Sequence, residues 1–118
     1  MPCTTFSYHT SNVIKYIESN YSEDISIERI AETANVSQSY ISRIFKKETG
    51  YGIHEYLNQY RVLKATAYLD CHSVADTSFL CGFCDSSHFI SIFKKCMGIT
   101  PMQYKLKIRA QQKTADLP

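Results

Sequence analysis

Val36-Ser37-Gln38-Ser39-Tyr40-Ile41-Ser42-Arg43-Ile44-Phe45-Lys46-Lys47-Glu48-Thr49-Gly50 returns in altered form about 48 residues later, as Phe83-Cys84-Asp85-Ser86-Ser87-His88-Phe89-Ile90-Ser91-Ile92-Phe93-Lys94-Lys95-Cys96-Met97-Gly98. In both stretches a polar turn precedes an amphipathic run that closes in Phe-Lys-Lys and then Gly. Repetition of one small helical unit sets an architecture, because a single copy cannot bury its apolar face alone. The repeat therefore predicts two similar helical modules, each presenting one short helix with a polar outer face. Such a pair suits a protein that reads two places along a periodic partner.

Working outward from the first copy, Ser37 is a good N-cap and Val36 with Ile41 forms a hydrophobic staple. Tyr40, Ile41, Ile44 and Phe45 fall on the inward face. Lys46 and Lys47 occupy the last turn, where cations are favoured, and Gly50 is a C-terminal stop. Upstream, Ser26 caps a helix from Ile27 to Ala34 that buries Ile27, Ile30, Ala31 and Ala34, with Ile25 and Ile30 as its staple. Val13, Ile14, Ile17 and Tyr21 recur at helical spacing from about Ser7 to Tyr21, after a loose start at residues 1–6. Downstream, Ile53, Tyr56, Leu57, Tyr60, Leu63 or Lys64, Tyr68 and Leu69 keep the helical period, a helix of about 25 Å at roughly 1.5 Å per residue. Ser73 caps a helix to about Leu80, and Asp85 or Ser86 starts one ending near Cys96, with Phe89, Ile92 and Phe93 inward. Thr100-Pro101-Met102-Gln103 has the cap, the proline and the glutamine of a helix start, predicting a seventh helix to about Ile108. Prolines occur at 2, 101 and 118, so residues 3–100 are free to be helical.

The totals are those of one domain, or of two very small ones: 118 residues, 44% apolar, 20% charged. The net charge of +2 says little by itself, but its distribution is uneven. Residues 1–42 carry two basic and five acidic side chains, a balance of −3, whereas residues 43–118 carry eleven and six, a balance of +5. That asymmetry suits an acidic partner for the later part. No apolar run is long enough to cross a membrane, and the polar stretch from Met1 to Ser11 does not read as a signal peptide. Five cysteines form no even-numbered framework of the secreted type. The expected location is the cytoplasm, with reduced thiols.

Short helix, tight turn, second helix with a polar N-terminal face is the helix-turn-helix pattern, and it falls at residues 27–49 and 74–96. The strings Ser39-Tyr40-Ile41-Ser42-Arg43-Ile44-Phe45-Lys46-Lys47-Glu48-Thr49-Gly50, Gly82-Phe83, and Gly98-Ile99-Thr100-Pro101-Met102-Gln103-Tyr104 resemble the DNA-binding domain of AraC/XylS-type transcription regulators over about residues 7–107. The resemblance implies an all-α fold of seven helices in two homeodomain-like helix-turn-helix subdomains. These would be residues 7–52 and 71–108, joined by a linker helix at 53–70 and followed by a polar tail at 109–118. It also implies that helices at about 38–49 and 86–96 enter successive major-groove segments, about 34 Å apart. The partner is then double-stranded DNA, with activation through contact with RNA polymerase, as is common in the family. Many members carry a further sensing or dimerisation domain, and none is read in these 118 residues. Two units in one chain allow a monomer to bind a non-palindromic site.

Base edges are read by exposed side chains near the start of a recognition helix. In the first unit these are Gln38, Ser39, Ser42 and Arg43, and the family reads bases at the last three of these positions. Arg43 can pair bidentately with guanine, worth about 1–3 kcal/mol of discrimination. Gln38 either pairs with adenine or serves the helix start. In the second unit the corresponding residues are Ser86, Ser87, Ile90 and Ser91. Here the chain departs from the family, which usually has serine then arginine at Ile90 and Ser91, often a branched apolar residue at Thr77, and serine at Cys84. Serines read bases weakly, and Ile90 can touch a thymine methyl. The first unit is therefore expected to supply most base discrimination, and the second to fix position. Lys46, Lys47, Lys94 and Lys95 are either phosphate contacts or solvated partners of the helix dipole.

Two other readings compete. Cys81-Gly82-Phe83-Cys84, with His88, Cys96, Cys71 and His72 nearby in sequence, has the form of a metal or redox site, giving a thiol- or metal-responsive regulator through Cys81 and Cys84. No second Cys-x-x-Cys completes a zinc set, and Cys81 stands where the family places a small apolar residue. Alternatively, the fold serves as a protein-interaction module that has lost DNA binding. An enzyme is not expected. There is no glycine-rich phosphate loop, and His9, His54, His72 and His88 are scattered. His88 matches Tyr40 of the first copy and reads as a partly buried packing residue. No cofactor and no bound metal are expected.

Overall fold

The computed structural model describes residues 6–115, with side chains described to Gln111. The expected loose start at residues 1–6 lies outside the described residues but for Phe6, and so does Cys3. Among the described residues there are seven α-helices and no strand: α1 (Tyr8–Asn20), α2 (Ile27–Ala34), α3 (Gln38–Thr49), α4 (Ile53–Tyr68), α5 (Val74–Leu80), α6 (Ser86–Met97) and α7 (Pro101–Ala115). The all-α expectation holds.

Each start is set by a side chain that satisfies an otherwise orphaned backbone N–H. Ser7, Ser26, Ser37 and Ser73 accept from Thr10, Arg29, Tyr40 and Asp76, and Asp85 accepts from His88 at 2.7 Å. At α7 the capping box is reciprocal. The Gln103 N–H donates to the Thr100 hydroxyl at 3.1 Å and the Thr100 N–H to the Gln103 side chain at 2.9 Å. Such caps contribute about 1 kcal/mol each.

The chain forms two compact units that divide between Tyr60 and Arg61, inside α4. The helix expected as the linker over 53–70 contributes side chains to both units. Ile53 and Leu57 belong to the first core, with Val13, Ile17, Ile30, Ala31, Ile41 and Phe45. Val62, Ala65 and Leu69 belong to the second, with Cys81, Phe83, Phe89 and Phe93. In the second unit, aromatic rings run in sequence from Phe83 to Phe89 (5.0 Å), Phe93 (5.6 Å) and Tyr104 (5.7 Å). Tilted and edge-on pairs of this kind add to simple burial. The Lys105 ammonium donates to the His72 carbonyl at 2.6 Å, fixing α7 to the loop before α5.

Three expectations are corrected. Leu63, read as inward with Lys64 as the alternative, is 62% exposed, while Arg61 is 8% exposed with its guanidinium 5.7 Å from the Phe83 ring centre. The arginine takes an inward place because its stem packs like a hydrocarbon and its head lies over an aromatic face. The polar tail at 109–118 is helical as far as Ala115. Apolar periodicity stops at Ile108, but no Pro or Gly follows until Pro118, and Arg109-Ala110-Gln111-Gln112-Lys113 are strong helix formers. His88 is exposed, its ring meeting Phe83 edge-on at 5.9 Å. An imidazole covers less surface there than a phenol would.

Thr77 of α5 is fully buried, and its hydroxyl has no hydrogen-bond partner among the described residues. Leaving a buried hydroxyl unpaired costs on the order of 1–3 kcal/mol. Thr77→Val, which keeps the shape and removes the hydroxyl, is therefore expected to raise the unfolding free energy by about 1 kcal/mol. Urea denaturation of the two proteins measures this, and an unchanged or lower midpoint would contradict it.

Candidate nucleic-acid interface

The two helix-turn-helix units are built by the same local rules. In the first, the turn after α2 is made by Asn35 in the left-handed region (φ 59°), and the Val36 N–H reaches back to the Ala31 carbonyl at 3.1 Å. In the second, Gly82 (φ 87°) takes that role, and the Phe83 N–H reaches the Ser78 carbonyl at 3.1 Å. Asparagine and glycine are the residues that tolerate this conformation. Val36 and Phe83 plug their respective cores. Ser37 then caps α3 directly, whereas Cys84 stands between Phe83 and the Asp85 cap of α6. The second turn is one residue longer, and Cys84 is the extra residue.

α3 and α6 have twelve residues each and end alike. Gly50 and Gly98 both have φ 83°, and their N–H groups donate at 2.8 Å to the carbonyls of Lys46 and Lys94. The inward faces correspond: Ile41 and Phe45 are buried on α3, Phe89 and Phe93 on α6. Burial of those pairs turns the opposite faces outward. On α3 the outward positions are Gln38, Ser39, Arg43, Lys46 and Lys47, all exposed, with Ser42 half-buried among them. On α6 they are Ser87, Ile90, Ser91, Lys94 and Lys95, all exposed, with Ser86 half-buried at the first helical position. Every candidate base- or phosphate-contacting residue thus lies on one of two matching helices. Ser39, Ser42, Arg43 and Lys46 fall at i, i+3, i+4 and i+7, the pattern of a single helix face, as do Ser87, Ile90, Ser91 and Lys94.

A profile described as a helix-turn-helix domain matches residues 30–107. An uncharacterized helix-turn-helix-type transcriptional regulator of Pseudoalteromonas carrageenovora is 37% identical over 94 residues, covering 80% of this chain and 57% of that protein. The transcriptional activator RhaS of Escherichia fergusonii is 33% identical over 97 residues, covering 80% of this chain and 35% of the relative. The chain therefore spans about a third to somewhat over half the length of these relatives. Among solved structures, the DNA-binding domain of the transcriptional factor AdpA, in complex with a target DNA, superposes with a TM-score of 0.81 at 26% identity, covering 91% of this chain and 98% of that one. The chain belongs to the AraC/XylS-type DNA-binding domains.

One residue that supports the candidate interface of this AraC-type domain was not singled out in the sequence. Glu48, near the end of α3, accepts a hydrogen bond from the Ser7 N–H at 2.9 Å, tying the start of α1 to the end of the candidate recognition helix. The signal was a carboxylate in the last turn, where the helix dipole disfavours it unless it has partners. Hydrogen bonding by the Thr10 hydroxyl, and next by the Ser7 N–H, holds the Glu48 carboxyl below its usual 4.5. With the folded value below the unfolded one, the stabilisation is complete above about 4.5 and disappears as pH falls through the depressed folded value. Glu48→Gln is expected to lower the urea midpoint at neutral pH and to flatten its decline in acid. Parallel pH profiles for the two proteins would refute this.

The Cys-x-x-Cys does not assemble as a site. Cys81 is buried in the second core and Cys84 is exposed in the turn. Among the described residues no group of three His, Cys, Asp or Glu side chains is placed to hold a metal ion. Burial pushes the Cys81 thiol up to about 11, with Arg61 pulling weakly the other way, so the reactive thiolate is scarce at neutral pH. Brief treatment of the native AraC-type domain with a thiol reagent, mapped by mass spectrometry, is expected to label Cys84 and leave Cys81 unmodified. Labelling of Cys81 as fast as Cys84 would restore the redox reading.

Proposed function

We propose that this domain binds duplex DNA with sequence preference by laying α3 and α6 in successive major-groove segments, about one helical turn or 34 Å apart. The observation that carries the reading is the pair of matched helices, each with a cap, a glycine stop, a buried apolar pair and an outward polar and basic face. Gln38, Ser39, Ser42 and Arg43 are the base readers of the first half-site, with Arg43 the dominant one. Ser86, Ser87, Ile90 and Ser91 face the second. Lys46, Lys47, Lys94 and Lys95 hold phosphates. The domain binds as a monomer to a non-palindromic site in the cytoplasm and works without cofactor or catalysis. Among the described residues no helix is long and apolar enough to cross a membrane. Likeness to a relative named as an activator supports a role in activation; RNA polymerase is the further partner that such a role would need.

A second reading, an interaction module that no longer binds DNA, is favoured by the outward face of α6, which lacks an arginine. Selection from a random duplex library, followed by anisotropy at several salt concentrations, separates the two. A two-part motif is expected, sharper in its first half, with affinity falling steeply in salt. Arg43→Ala should cost about 1–3 kcal/mol and relax preference at one position. Ser91→Ala should have little effect on preference. Lys94→Ala should weaken all sequences alike and reduce the salt slope by about 1. Equal loss of preference in Arg43→Ala and Ser91→Ala would defeat the division of labour, and absence of salt-dependent duplex binding would favour the interaction module.

A further inference from the structure

From the outward face of α6 we infer that the second unit is a reader of pyrimidine 5-methyl groups, with Ile90 as the reading side chain. The inference rests on the proposed docking of α6 in the major groove. Ile90 is 38% exposed and is flanked along the same face by Ser87, Ser91 and Lys94. The two serines are short, so the branched aliphatic chain is the longest group over the N-terminal half of this face. At the equivalent place on α3 stands Ser42, half-buried, and the long group there is the Arg43 guanidinium. Other exposed apolar side chains include Leu63, Phe79, Met102 and Leu106 on α4, α5 and α7, and Met97 at the far, C-terminal end of α6.

The chemistry of the groove leaves one partner for such a group. Major-groove edges present N7 and O6 of guanine, N7 and N6 of adenine, N4 of cytosine, and O4 and the 5-methyl of thymine. A sec-butyl group pressed on any of the nitrogen or oxygen edges removes water from them and returns no hydrogen bond, which is unfavourable. Only the 5-methyl gains from the contact. Cytosine methylated at C5 carries the same methyl in the same place. The second half-site is therefore read for a thymine, and a cytosine at that position becomes a better ligand once methylated. With Ser91 where the first unit has Arg43, the second unit carries a methyl reader in place of a guanine reader, and duplex methylation becomes an input to binding.

The test uses the full chain and the duplex obtained by selection. Each thymine of the second half-site is replaced singly by deoxyuridine, which pairs identically and lacks the methyl. In a second series each cytosine is replaced by 5-methylcytosine, with cytosine placed at the sensitive thymine position as one member. One thymine position is expected at which deoxyuridine weakens binding about fourfold, the effect of burying roughly one methyl group. At that position 5-methylcytosine should bind about fourfold better than cytosine. Ile90→Ala, a change at an exposed position whose folding is checked by thermal melting, should abolish both differences. Indifference of the wild-type chain to every such replacement overturns the inference while leaving duplex binding intact. Equal sensitivity in Ile90→Ala also overturns it, because another group then reads the methyl. Failure of the chain to prefer any duplex sequence is a different result, and removes the proposed function along with the inference.

Discussion

The structure depends on one helix serving two cores. A unit of about 60 residues buries only about 60% of the surface its unfolded chain exposes, so each half of this chain is marginal and must use every apolar side chain it can reach. α4 supplies Ile53 and Leu57 to one core and Val62 and Ala65 to the other, with Leu69 directly after its last residue. Without the first pair, Ile41 and Phe45 would lack part of the surface that holds α3 in place. Without the second set, Phe89 and Phe93 would lack the same for α6. The outward aim of both candidate recognition helices is a consequence of what their inner faces bury.

That sharing also explains which parts of the fold were legible in the sequence. Most helix starts, and the stops of α3 and α6, were, because each depends on one side chain or one backbone conformation. Ser7, Ser26, Ser37, Ser73, Asp85 and Thr100 cap as their chemistry requires, and Gly50 and Gly98 take the left-handed turn. The inner face of α4 was only half legible. Its buried positions run 53, 57, 61 and then 62, 65, 69, with a charged residue at the junction. A count of apolar spacing passes over Arg61 and assigns Leu63 in its place, because hydropathy does not register an arginine whose head rests on the Phe83 ring. The end of α7 was missed for a related reason: the helix continues past Ile108 without an apolar face to announce it.

The candidate site was legible in its residues and not in its support. Position within a repeat was enough to nominate Gln38, Ser39, Ser42, Arg43 and their counterparts, and burial of the opposite face turns them outward. The bond from the Ser7 N–H to Glu48 joins residues 41 apart in sequence, and no local pattern records such a pairing. The longer second turn was obscured for another reason. Matching the copies through Phe-Lys-Lys hides an offset that changes by one residue at Cys84, and it becomes visible only when the Val36-to-Ala31 and Phe83-to-Ser78 hydrogen bonds are set side by side.

Those two copies also show where such a fold is free to change. Ile41 and Phe89, Phe45 and Phe93, Gly50 and Gly98 have to solve the same problem, and they solve it with residues of the same kind. Ser42 and Ile90, Arg43 and Ser91 face away from the cores, so nothing in the packing ties one to its counterpart. Surface substitutions away from caps and cores usually change stability by less than about 0.5 kcal/mol, whereas a single bidentate base contact is worth about 1–3 kcal/mol of discrimination. The outward positions can therefore alter recognition by more than they alter folding. The thermodynamic separation between the two faces of one short helix lets a repeated unit keep its architecture while its outward residues vary, as Ser42 and Ile90 do, and Arg43 and Ser91.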